Sequence, residues 1–181
     1  MLMEAHRACL LVIDVQEKLA PAVDGHRALI EQAQWLVRVA GELDVPVLAS
    51  RQYPKGLGPL VPELAALIPA SAQVDKEHFS CASAPKCRQA ISRSGRTQIV
   101  IAGMEAHVCV LQSALELKHA GHEVFVVSEA VASRRPADRE LALQRLRGHG
   151  VDVVNREMVA FEWLHQAGTE AFRTVSKQYI R

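Results

Sequence analysis

The stretch IVIAGMEAHVCVLQSALEL, Ile99–Leu117, opens as an unbroken apolar run and closes with apolar residues three and four apart. The first pattern marks a strand covered on both faces; the second marks an amphipathic helix. A short turn, Met104-Glu105-Ala106-His107, joins them, and Cys109 follows it at the start of the helix. Strand, turn and helix are the building unit of a parallel sheet. The stretch therefore predicts an α/β domain with a thiol beyond the carboxyl end of a strand, where such domains bind ligands.

The same alternation extends both ways along the chain. Ala8–Asp14 (ACLLVID) is a second continuous apolar run, ended by an acid. Leu29, Ile30, Ala33, Leu36, Val37 and Ala40 give His26–Leu43 a helical period. Pro46–Ser50 predicts a strand, Arg51–Pro62 a loop rich in proline and glycine, Glu63–Ile68 a short helix and Gln73–Lys76 a short strand. A helix over Ala84–Ser94 has Pro85 in its first turn and Gly95 after its end. Thr97–Ala102 is the strand of the opening stretch, and its helix spans Val108–Ala120. Glu123–Ser128 and Val151–Val154 predict two more strands, Arg135–His149 the helix between them, and Glu157–Gln166 and Thr169–Tyr179 the last helices. The sum is one doubly wound, Rossmann-like domain over residues 1–181, three layers α/β/α, with a parallel sheet of about six strands.

Composition narrows the function. Apolar residues make up 49% of the 181 residues, charged residues 23%, and the net charge is +1. This is an ordinary globular composition, with no basic excess to recruit nucleic acid and no apolar run long enough to span a bilayer. Met1–Arg7 carries no signal-peptide hydrophobic region, so a cytoplasmic location is expected. In a reducing compartment Cys9, Cys81, Cys87 and Cys109 are expected as free thiols, and no Cys-x-x-Cys pair points to zinc.

Reactive residues at the ends of strands give the chemistry. Asp14 ends the first strand, Lys76 the third, and Cys109 follows the Thr97 strand. A helix N-terminus and a nearby ammonium both favour thiolate, a carboxylate can carry the thiol proton, and turn N–H groups can hold an oxyanion. Singly each residue has a plainer reading: a cysteine as a small buried hydrophobe, an aspartate as a cap, a lysine as a solvated charge. Together they describe a nucleophilic acyl-transfer site. His107, two residues from Cys109, is the weaker partner for it, and His78 is placed to line the pocket.

LLVIDVQEKL (Leu10–Leu19), DKEHFSC (Asp75–Cys81) and VIAGMEAHVCVLQSALEL (Val100–Leu117) together resemble the isochorismatase-like cysteine hydrolases. RQYPKGLGP (Arg51–Pro59) is similar to the branch of isochorismatase domain-containing proteins. The resemblance implies a catalytic triad of Asp14 as general base and acid, Lys76 as electrostatic partner and Cys109 as nucleophile. It implies an oxyanion hole from the backbone N–H groups of Glu105 and Cys109, and a cis peptide between Met104 and Glu105. Gln16, Tyr53 and Phe79 fall at positions for substrate binding. Nicotinamidases of this family carry an Asp-x-His metal motif where this chain reads Arg51-Gln52-Tyr53-Pro54, so no metal and no cofactor are expected. The expected function is hydrolysis of a small-molecule amide, or an ester, through a Cys109 acyl-enzyme; the alternative is a non-catalytic binding module on the same fold. The expected partners are a small-molecule substrate and further copies of the chain, with neither nucleic acid nor membrane. The apolar residues of Glu157–Tyr179 supply the reason to expect a homo-oligomer.

Overall fold

A computed structural model describes residues 1–180. Six parallel strands run β3-β2-β1-β4-β5-β6 across one sheet. They are β1 (Ala8–Ile13), β2 (Val47–Gln52), β3 (Gln73–Lys76), β4 (Gln98–Met104), β5 (Glu123–Ala132) and β6 (Asp152–Val154). The chain starts in the middle of the sheet, winds outward to β3, then crosses to β4 and winds the other way. The order therefore reverses between β1 and β4, and a crevice opens there beyond the strand ends.

Helices cover both faces. The helices are α1 (His26–Glu42), α2 (Pro54–Leu57), α3 (Pro62–Ala65), α4 (Pro85–Arg93), α5 (Leu111–His119), α6 (Pro136–Gly148), α7 (Arg156–Leu164) and α8 (Glu170–Val175). Every residue of β1 is buried, and alternate residues serve opposite cores. Leu10 and Val12 pack with α1, α7 and α8, while Cys9, Leu11 and Ile13 pack with α4, α5 and α6. Burial on two faces is the reason this strand is apolar throughout.

The observed boundaries differ from the sequence expectations where side chains or glycine override local pattern. The Arg51–Pro62 loop contains the single turn α2, and β2 runs two residues past Ser50 because Gln52 still pairs with Lys76. β4 continues through Gly103 to Met104. Gly103 has φ of 127°, and a Cβ there would lie 2.1 Å from the Ile13 carbonyl oxygen. Only glycine permits β4 to approach β1 this closely beside the crevice. β5 is four residues longer than expected, through a register shift between Ile101 and Gly103, and so reaches Ala132 opposite Met104. The helix after β4 begins later than expected. Residues Ala106–Val110 form a wide turn in which the N–H groups of Val108 and Val110 both donate to the Glu105 carbonyl, and α5 starts at Leu111. Wide turns of this kind recur at functional sites.

The apolar residues of the C-terminal segment divide between core and surface. Trp163, Leu164 and Val175 are buried in the chain's own core with α1. Met158 and Phe161 remain about half exposed. Among the described residues no helix is long and apolar enough to cross a membrane.

Candidate active site

Asp14 is the first residue past β1, with φ of 52°. Aspartate tolerates this left-handed conformation better than most residues. Its side chain is fully buried, as is that of Lys76, and the Lys76 Nζ lies 2.7 Å from Asp14 Oδ2. Ser50 Oγ donates to the other carboxylate oxygen at 2.7 Å. The ammonium also donates to Gln52 Oε1 at 2.7 Å, to the Phe79 carbonyl at 3.0 Å and to the His78 carbonyl at 3.2 Å. Three ammonium protons thus serve four oxygens. An ion pair survives burial only when its remaining hydrogen-bonding capacity is met in this way. Burial, the largest single influence, would lower the Lys76 ammonium, but the charge and hydrogen bond of Asp14 together with the neighbouring Cys109 and Cys81 outweigh it and hold the group above its ordinary value.

Ser50 and Gln52 were not singled out by the sequence, yet they complete the pair. The available signal is their period of two at the end of β2, which puts both polar groups on one side of a strand next to β1. Gln16, expected to bind substrate, has another place. It is fully buried, its Nε2 donates to the carbonyls of Gln52 and Gly58, and its Oε1 accepts from the Gln52 N–H. It ties the end of β2 to the loop behind it. Tyr53 and Phe79 are each 53% exposed. They flank Lys76 through their backbones: the Tyr53 N–H donates to the Lys76 carbonyl, and the Phe79 carbonyl accepts from Lys76 Nζ. Tyr53 and His78 line a cleft of about 510 Å³ with Lys55, Lys76, Glu77 and Lys86. Clefts of about 470 and 600 Å³ lie elsewhere, both lined by Leu2, Glu162 and His165.

Cys109 sits in the wide turn, buried except for 6% of its surface. The Met104–Glu105 peptide bond just before the turn is cis. Among the described residues nothing accepts from the Glu105 N–H. The electrostatics of the thiol differ from the sequence expectation. Burial pushes Cys109 well above the ordinary thiol value, and the Asp14 carboxylate adds to the rise; Lys76 pulls the other way and does not prevail. The reason is that Lys76 already spends its charge on Asp14. The resting group is therefore a thiol beside a carboxylate able to take its proton, not a preformed thiolate. Cys81, a second buried thiol, lies within electrostatic reach of Cys109 and Lys76, and its own value is lowered mainly by a hydrogen bond from Cys87. All four cysteines are free. Among the described residues no group of three or more His, Cys, Asp or Glu side chains is arranged to hold a metal ion.

Comparison with known proteins places the chain in a family. The isochorismatase domain model matches residues 8–158. The chain belongs to the isochorismatase family. Isochorismatase domain-containing protein 2A of Mus musculus is 35% identical over 168 residues, covering 93% of this chain and 80% of the mouse protein. A MAR1 ribonuclease from Caenorhabditis elegans superimposes with a TM-score of 0.92 at 29% identity, over 100% of this chain and 93% of that one. YcaC from Escherichia coli, an octameric hydrolase of unknown specificity, superimposes with a TM-score of 0.91 at 24% identity, over 99% of this chain and 91% of its own. Family membership gives the chain an isochorismatase-type hydrolase fold, with Asp14, Lys76 and Cys109 all at the carboxyl edge of its sheet.

Proposed function

We propose that this isochorismatase-family chain is a cysteine-dependent hydrolase of a small-molecule amide, or less readily an ester, acting through an acyl-enzyme on Cys109. The observation that carries the reading is the Cys109 thiol set beside the buried Asp14–Lys76 pair. As Sγ attacks the carbonyl carbon, Asp14 takes the thiol proton, so bond formation and proton transfer run together. The carbonyl oxygen becomes an oxyanion against the N–H groups of Glu105 and Cys109. Asp14 then returns the proton to the departing amine, which leaves a thioester on Cys109. Water adds to the thioester with Asp14 again as base, and the acid departs with the thiol restored. One water is consumed per bond cleaved. An amine is a poor leaving group unless protonated, which is why this arrangement suits amides.

Tyr53 and Phe79 at the rim would contact the substrate, and the neighbouring cleft would take its larger part. The exposed apolar face of Leu2, Met158 and Phe161 supports a homo-oligomer, as does the octameric state of the YcaC relative. The test is a panel of small amides and esters, with an RNA oligonucleotide included because one structural relative is a ribonuclease. Native protein should hydrolyse a panel amide, Cys109→Ala should not, and a quenched reaction should show the acyl mass on the Cys109 peptide. Turnover retained in Cys109→Ala, or Cys109-dependent cleavage of RNA alone, overturns the reading.

A further inference from the structure

The turn that carries Cys109 is held from outside by a residue that the triad does not include. Glu105 is 5% exposed. Its carboxylate receives three donors from one residue, Arg134, which stands two residues past β5. The Arg134 N–H and Nε donate to Oε2 at 3.0 and 2.9 Å, and the Arg134 Nη2 to Oε1 at 2.7 Å. The arrangement is lopsided: the Arg134 side chain is 58% exposed and that of Glu105 only 6%. An ion pair with both partners exposed contributes little, but a carboxylate withdrawn from water needs its donors. The guanidinium holds the Glu105 carboxyl below its ordinary value, so it stays charged.

That charge sits on the same residue whose backbone N–H the proposed mechanism assigns to the oxyanion. Unscreened, it would repel a developing oxyanion. Arg134 cancels it, and its fork fixes the carboxylate in one plane. The next attachment is from the same strand end. His107 Nδ1 and Ser133 Oγ are 2.9 Å apart, with Ser133 itself buried. Ser133 and Arg134 thus hold the turn on both sides of Ala106. Inside the turn the Glu105 carbonyl accepts from Val108 and Val110, and among the described residues nothing accepts from the Glu105 N–H. The register shift that lengthens β5 is what brings these two residues to the end of β4.

We propose that Arg134 is a positioning residue, which aims the Glu105 N–H at the oxyanion and neutralises the carboxylate beside it. The inference rests on the reading of Cys109 as the nucleophile. Its test separates oxyanion formation from thiol reactivity by modifying Cys109 with two reagents. Acrylamide adds to Sγ at its terminal carbon. The C=C electron pair moves toward the amide, negative charge gathers on the carbonyl oxygen, and the thiol proton ends on the carbon next to the carbonyl; nothing leaves. Methyl methanethiosulfonate exchanges at sulfur, expelling methanesulfinate, and builds no charge on a carbonyl oxygen.

Rates for each reagent at Cys109 are read by mass spectrometry at pH 8 in native protein, Arg134→Ala and Arg134→Lys. Removing an oxyanion donor outright typically costs about 10²–10³-fold. Misaiming one should lower the acrylamide rate about 10-fold in Arg134→Ala relative to the exchange rate, with Arg134→Lys recovering part of the loss because it neutralises without the fork. In Arg134→Ala the rate ratio should also rise as pH falls toward 5, where the unpaired Glu105 carboxyl takes up a proton; in native protein it should not. An unchanged ratio in Arg134→Ala, or equal loss of both rates, overturns the proposal. A Cys109 in native protein that reacts with neither reagent overturns the nucleophile reading instead.

Discussion

Substituting Lys76 by methionine tests the buried pair directly. Methionine keeps most of the lysine stem and removes the charge, so packing changes little and Asp14 is left with Ser50 Oγ as its remaining side-chain donor. Leaving one member of a buried ion pair without its partner costs about 3–5 kcal/mol. In a domain of this length each kcal/mol moves the melting temperature by about 2–4 °C. Lys76→Met should therefore melt about 6–20 °C below the native protein at neutral pH. Asp14→Asn should be milder, because Lys76 keeps the Gln52 oxygen and the carbonyls of His78 and Phe79. The double variant Asp14→Asn/Lys76→Met, with neither charge, should melt above Lys76→Met alone, since the expensive species is the unpaired carboxylate. Thermal unfolding of the four proteins, checked for reversibility, gives the comparison. Lys76→Met melting within about 2 °C of native would show that the pair is not desolvated, and a double variant no better than the single would show that the two charges do not depend on each other.

The Cys109 thiol is held above its ordinary value, so iodoacetamide should modify it slowly at pH 7 and ever faster through pH 9; a rate already level near neutrality would reveal a preformed thiolate and refute the proton-coupled attack. Cys9 is pushed up to about 12, chiefly by burial. The folded state then binds these two thiol protons more tightly than the unfolded chain. Their stabilisation is present below the unfolded thiol value of about 8.5 and is lost as pH rises through the folded values, so unfolding free energy should decline above pH of about 8.5. Gly103→Ala should destabilise by more than about 4 kcal/mol, because its Cβ would meet the Ile13 backbone and neither strand can move aside; a soluble variant with near-native melting would contradict the close approach. Any amide hydrolysis should survive EDTA and dialysis, since Arg51 is paired with Asp75 and Gln52 with Lys76, and no group of three or more His, Cys, Asp or Glu among the described residues is arranged to hold a metal ion; activity restored only by added metal would contradict this. Light scattering at micromolar concentration should give a mass of at least two chains, and a monomer mass would remove the role given to Met158 and Phe161.

The sheet was legible because its pattern is coarse. β1 and β4 are buried on both faces and therefore apolar but for Gln98 at the start of β4, and the expected β3 coincides with the observed one. What sequence could not supply was the third dimension of the site. Asp14, Lys76 and Cys109 announce themselves as reactive types at strand ends. Ser50 looks like an ordinary strand residue and Gln52 like a loop residue until the register places them beside β1 and β3. Gln16 shows the converse: a polar residue next to Asp14 reads as a ligand contact, yet its amide is consumed by backbone. Arg134 follows a strand whose length depends on a register shift with no local signal. The helix start was misplaced for a similar reason, since a wide turn and an α-helix share the same apolar spacing over five residues.

The state of the thiol follows from how charge is distributed rather than from which residues are present. An ammonium near a cysteine ordinarily draws the thiol toward thiolate. Here the ammonium is 2.7 Å from a carboxylate and faces three further oxygens, so the pair presents almost no net charge to the sulfur. With that attraction spent, burial decides, and burial favours the neutral thiol. The consequence is economical for a hydrolase. A thiolate at rest would leave Asp14 with no proton to take during attack and none to hand to the amine. A thiol at rest would, in the proposed mechanism, deliver that proton to Asp14 at the moment of attack, where it is needed for the leaving group one step later. In the proposed mechanism the buried lysine serves by holding Asp14 in place at 2.7 Å, and the acid–base cycle would run on a single proton passed from sulfur to carboxylate to nitrogen.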